Sequence, residues 1–205
     1  MINEIISTVL QIFAFSLIPL VVWMVKNKSV KGFFHYIGLK ASNRRANLLA
    51  VGLSLVFTLP ILLLVILNED FLAIMAHPES MTGKFKLMGF SFSALLLVLI
   101  TAIFKTAFSE EILFRGFLAK QLIRWLGFRS GNLLHAVLFG ALHTAVFLSI
   151  SNNVLFLIII FFFPALGAYL QTYLNEKVAQ GSILPGWIAH ALANVTSYSI
   201  IGFCI

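Results

Sequence analysis

Long apolar runs alternate with short polar gaps along the whole chain. Runs fall at 5–25, 46–67, 133–150, 154–174 and 183–205, and a further run begins near Leu87 and continues into the charged stretch at 109–116. Each approaches the ~20 residues that a helix needs to cross a hydrocarbon core. Lipid admits only helices and closed barrels, and uninterrupted apolar runs of this length point to helices. The pattern therefore predicts an all-α, polytopic membrane protein with about six transmembrane helices in one bundle. Pro19, Pro60 and Pro164 lie inside runs and predict kinks, whereas Pro185 falls in the first turn of the last run, where a missing N–H costs nothing. Residues 1–86 form two N-terminal spans with a basic loop between them. Residues 87–205 form a core of about four spans that carries all of the candidate chemistry.

The gaps differ in charge. The 26–45 gap holds Lys26, Lys28, Lys31, Lys40, Arg44 and Arg45 and no acid, around an aromatic stretch, G-F-F-H-Y-I-G-L at 32–39, suited to the membrane interface. The 118–132 gap holds Lys120, Arg124 and Arg129, again without an acid, whereas 68–86 mixes Glu69, Asp70 and Glu79 with Lys84 and Lys86. The gaps at 151–153 and 175–182 are short and polar. Counting Arg115, the loops after the first, third and fifth spans hold eleven Lys and Arg, and the opposite side holds two. Basic residues collect on the cytoplasmic face, so both termini are expected on the non-cytoplasmic side. The first run has only Glu4 before it and lysines after it, so it reads as a span rather than a cleaved signal.

Composition reinforces this picture. The chain is 60% hydrophobic and 10% charged, with 21 phenylalanines, where a soluble domain is about a quarter charged. The net charge of +7 belongs to the loops, so the expected partner is membrane lipid and not nucleic acid. The single cysteine, Cys204, can form no internal disulfide.

Charges are costly inside such runs, and the stretch S-E-E-I-L-F-R-G at 109–116 places Glu110, Glu111 and Arg115 there. Further polar residues in the spans are His143, His190 and Asn194. Glu110 lies one or two turns from the cytoplasmic end of its span. His143 lies about 15 Å, and His190 about 10 Å, from the same side at ~1.5 Å per residue. All three fall in the cytoplasmic half. Glu111 and Arg115 are i,i+4 neighbours in the favourable order, so Arg115 can neutralise Glu111, while Glu110, turned by about 100°, is free to face elsewhere. His190 and Asn194 share a helix face, and Phe139 lies one turn before His143. A carboxylate beside imidazoles in a partly dry cavity suits general-base activation of water, and a His–Asn pair can supply two donors to an oxyanion. Read singly, Glu111–Arg115 serves as well as a structural ion pair, and an intramembrane His or Asn as a helix–helix hydrogen bond. His35, His77 and His135 carry no functional expectation, the first and last lying near the interface. Lys105 either pairs within the bundle or tunes Glu110.

At these residues the chain resembles the CPBP intramembrane proteases, which include the type II CAAX prenyl proteases and bacteriocin-processing or immunity proteins. The family pattern E-E-x-x-x-R matches Glu110 to Arg115, F-x-x-x-H matches Phe139 to His143, and H-x-x-x-N matches His190 to Asn194. The resemblance covers about residues 87–205 and includes the lead-in G-S-I-L-P at 181–185. It implies hydrolysis of a peptide bond in a membrane-associated peptide or lipidated protein near the cytoplasmic face. Glu110 would be the general base and His143 would help activate the water. His190 and Asn194 would hold the oxyanion, with Glu111, Arg115 and Phe139 in support. No cofactor is required, with zinc the less favoured alternative because the chain lacks H-E-x-x-H. The competing readings are a non-catalytic immunity or partner-binding protein and a small transporter with a proton relay.

Overall fold

The structure is a computed structural model and describes residues 2–205. Every regular element among the described residues is helical. The first helix, α1 (Ile2–Asn27), leads through the short α2 (Phe33–Tyr36) to α3 (Arg44–Leu67). Two short helices follow, α4 (Glu69–Met75) and α5 (Met81–Met88), where the sequence suggested only a loop. Asn68 and Ser80 explain them, because each side chain caps the first turn by accepting from a backbone N–H three residues on. Then α6 (Phe92–Leu99) runs without a break through two π-helical stretches, Ile100–Phe108 and Glu111–Ala119, into α7 (Lys120–Leu148). The last elements are α8 (Val154–Tyr173), which continues π-helically over Leu174–Val178, and α9 (Leu184–Phe203).

Four helical segments are long and apolar enough to cross a membrane: Ile2–Asn27, Arg44–Leu67, Phe92–Leu148 and Val154–Val178. The third has 57 residues and is interrupted at Gly127, whose φ of 74° and ψ of 168° are not helical. Gly131 lets the chain close up after this corner, for a β-carbon there would lie 2.5 Å from the backbone of Leu122 and Ile123. The expected 118–132 loop is thus a sharp corner between two helices. The last helix, α9, has 20 residues but is diluted by His190, Asn194 and a run of hydroxyl side chains.

Small residues set the helix packing. Ala46 and Ala50 of α3 meet Ala189 of α9, and Leu62 and Val65 pack with Ile201 farther along the same pair. The two helices therefore run in the same direction. So do α1 and the π-helical stretch: Gln11 Nε2 donates to the Lys105 carbonyl (2.7 Å) and to Ser109 Oγ (3.1 Å). Nearer the end of α1, Leu20 and Trp23 pack with Ile112 around Phe33 and Ile37. The aromatic stretch after α1 accordingly tucks part of itself under the bundle, with Phe33 and Ile37 buried. Lys105 pairs with Glu4 at 2.9 Å, which decides between its two expected roles. Many large apolar side chains, among them Phe13, Leu63 and Phe162, remain exposed on the outer helix faces, as lipid contact requires.

Candidate functional site

The site lies where three elements meet: the π-helical stretch that starts at Glu111, the second half of α7, and the first half of α9. A π-helix winds more widely than an α-helix, and single π turns concentrate at functional sites. Glu110 sits at the junction between the two π-helical stretches.

Glu111 and Arg115 form the expected ion pair, with Nε 3.3 Å from Oε1, and both side chains are almost fully buried. The contact has ion-pair distance without hydrogen-bond alignment, for Nε and Nη1 have no hydrogen-bond partner. The aligned bond from the guanidinium goes from Nη2 to Gln171 Oε1 at 2.7 Å. The guanidinium also lies 4.0 Å over the Phe139 ring, a cation–π contact in a dry setting.

Phe139 in turn packs on His143, ring centroids 4.4 Å apart, and its carbonyl lies 2.9 Å from His143 Nδ1. A carbonyl can only accept, so Nδ1 carries the proton and Nε2 of the neutral ring is left with a lone pair. His190 presents its two nitrogens to two carboxylates. Its Nδ1 donates to Glu111 Oε1 at 3.4 Å, and its Nε2 lies 3.9 Å from Glu110 Oε2. Glu110 does not turn away from Glu111 as far as α-helical winding implied: both acids approach the same imidazole from opposite sides. Oε2 of Glu110 is buried without a hydrogen-bond partner, and so is Nδ2 of Asn194, one turn beyond His190.

The structure thus brings Glu110, Glu111, Arg115, Phe139, His143 and His190 into one chain of contacts, and sets Asn194 on the helix that carries His190. Sequence reasoning missed three residues beneath them. Gln171 holds Arg115, and Asn175 accepts from the Gly186 N–H at 2.8 Å. Their i,i+4 spacing at the end of an apolar run was the available signal, but Asn175 was placed in a loop. His135, expected near the interface, is fully buried, with Nδ1 3.4 Å from Thr172 Oγ1. Among the described residues no group of three or more His, Cys, Asp or Glu side chains is placed to hold a metal ion.

Residues 91–196, just over half of the chain, match the protein family described as Type II CAAX prenyl endopeptidase Rce1-like. The chain belongs to this family. It is thereby a CPBP-type protease, and the three motifs read from the sequence all lie inside the matched segment. Neither a curated protein nor a solved structure matches the chain.

Proposed function

We propose that the protein is a membrane-embedded glutamate-type endopeptidase that hydrolyses a peptide bond of a membrane-associated peptide or prenylated protein near the cytoplasmic face. The observation that carries this reading is that His190 turns Nε2 toward Glu110 Oε2 at 3.9 Å while Asn194, one turn on, keeps a buried Nδ2 without a hydrogen-bond partner. Native proteins rarely leave such atoms unpaired, and those that remain call for an explanation such as catalysis. Water held between Glu110 and His143 gives one proton to the Glu110 carboxylate, while the Nε2 lone pair of His143 orients its other O–H. The oxygen attacks the substrate carbonyl carbon. With Nδ1 bonded to Glu111 Oε1, doubly protonated His190 donates from Nε2–H, and Asn194 from Nδ2–H, to the resulting oxyanion. As the C–N bond breaks, Glu110 returns its proton to the leaving amine. Each step uses side chains of this chain alone, so we assign no metal.

The proposal includes six membrane crossings. The Gly127 corner divides the long helix into two, and α9, which carries His190 and Asn194, supplies the sixth. Both termini then lie on the non-cytoplasmic side.

The test is cleavage of a prenylated CAAX-type peptide by the protein in lipid nanodiscs. Glu110→Gln keeps the size and the hydrogen-bonding capacity of the side chain but cannot take a proton. A loss of about 10²–10⁴-fold is expected. Turnover by the variant at the wild-type rate would sink the assignment of the base.

A further inference from the structure

We infer that Gln171 is a positioning residue for His190, acting through Arg115 and Glu111; the inference rests on the catalytic reading of His190 given above. Four contacts connect α8 to the reacting groups. Gln171 Oε1 accepts from Arg115 Nη2 at 2.7 Å, and Arg115 Nε stands 3.3 Å from Glu111 Oε1. The same Oε1 accepts from His190 Nδ1 at 3.4 Å, and His190 Nε2 faces Glu110 Oε2 at 3.9 Å. Glu111 Oε1 is therefore shared between a guanidinium and an imidazole, and the orientation of the guanidinium decides the share.

An arginine beside a buried carboxylate favours a bidentate grip, with two parallel N–H···O bonds. Arg115 does not adopt it, since its Nε and Nη1 make no aligned bond while Nη2 is committed to Gln171. Stacking on Phe139 fixes the plane of the guanidinium, and Gln171 fixes its rotation within that plane. Without the Gln171 acceptor, Arg115 is free to swing both nitrogens onto Glu111. The carboxylate is then withdrawn from His190, and the imidazole loses the acceptor that holds its Nδ1 proton and sets its orientation toward Glu110. Gln171 bonds Arg115, and the bonds of His190 go to the two acids, so the effect of Gln171 on His190 passes through the ion pair.

The experiment uses Gln171→Met, which keeps the shape and removes the acceptor, and Gln171→Glu, which restores an acceptor oxygen. The full chain, with 15N-labelled histidine, is placed in nanodiscs, and His190 is assigned by the signal lost in His190→Ala. The wild type should show a His190 Nδ1–H signal shifted by its bond to a carboxylate. Gln171→Met should lose that shift and lower kcat about 10²-fold with KM little changed, the scale expected of a small misplacement of a reacting group. Gln171→Glu should recover both. A His190 signal that is the same in wild type and Gln171→Met overturns the inference, as does a changed signal with unchanged kcat. Should wild type cleave no peptide, the proposed function fails, and the histidine spectra still decide whether Gln171 positions His190. A Gln171→Met chain that does not fold while Gln171→Glu does, with a wild-type His190 signal, would assign Gln171 to stability and overturn the positioning role.

Discussion

A β-carbon on Gly186 would lie 2.5 Å from Glu111 Oε2 and 2.6 Å from Asn175 Nδ2. Such separations are below contact distance, and a swing of either side chain would relieve them only at a cost. Glu111 is held by Arg115 and His190, and Asn175 is held by the Gly186 N–H itself. Gly186 is thus the notch into which the buried acid and its neighbouring amide fit. Gly186→Ala should destabilise the protein by about 1–3 kcal/mol, the usual cost of overpacking, and should also slow turnover, because the atom displaced belongs to the His190 partner. Thermal unfolding in detergent, measured beside peptide cleavage, checks both; a variant with wild-type melting and rate would mean that the notch has slack. Asn175→Leu makes a related point. It leaves the buried Gly186 N–H without an acceptor, and a loss of about 1–3 kcal/mol is expected in the same melting experiment. Residues of this kind are hard to see in a sequence. The acids, the arginine and the histidines stood out because lipid should exclude them, whereas a glycine at the start of a span and an amide at the edge of one look like ordinary punctuation.

At the scale of elements, apolar runs revealed where helices lie but not how they wind or turn. Hydrophobic periodicity reports which residues are apolar, and the membrane-facing runs are apolar on nearly every side. No face-to-face contrast was available from which to detect the π-helical winding of Ile100–Phe108 and Glu111–Ala119. Glu110 and Glu111, at the junction of the two stretches, reach one imidazole from two sides, which α-helical spacing did not suggest. The Gly127 corner was hidden for a different reason. The segment from Lys120 to Asn132 is basic and polar, and it resembles a loop in composition although all but the corner residue is helical. Gly127 has nothing within 4 Å of where a β-carbon would sit, so space does not demand glycine there. Its backbone does: positive φ with ψ near 168° is a region open essentially to glycine alone. Gly127→Ala should therefore cost about 1–3 kcal/mol through strain and not through collision. A denaturation midpoint unchanged by Gly127→Ala would show that the corner relaxes into another conformation.

At the scale of the whole molecule, helix directions and charge can be read against each other. The parallel packing of α3 with α9, and of α1 with the stretch that follows α6, groups odd and even crossings as a six-span serpentine would. Charge then chooses which end faces the cytoplasm. By the sequence count eleven Lys and Arg fall at one end of that arrangement and two at the other, and the proposed orientation puts the basic end in the cytoplasm. Loops at that end are also tied together: Lys120 pairs with Glu176 and donates to the Gly181 carbonyl at 2.9 Å, and Ser182 Oγ donates to the Lys40 backbone carbonyl at 2.7 Å. The basic face is consequently built across several loops. Reversing it would place eleven cations against the translocation bias that acts on short loops. Orientation can be checked without any mutation, because the sole cysteine, Cys204, is exposed next to the C-terminus. A membrane-impermeant maleimide added to intact cells or right-side-out vesicles should label it. The same reagent added to sealed inside-out vesicles should not, until detergent opens them. The opposite pattern would turn the bundle over, and would put Glu110, His143 and His190 in the half of the membrane away from the cytoplasm, where a cytoplasmic lipidated substrate could not reach them.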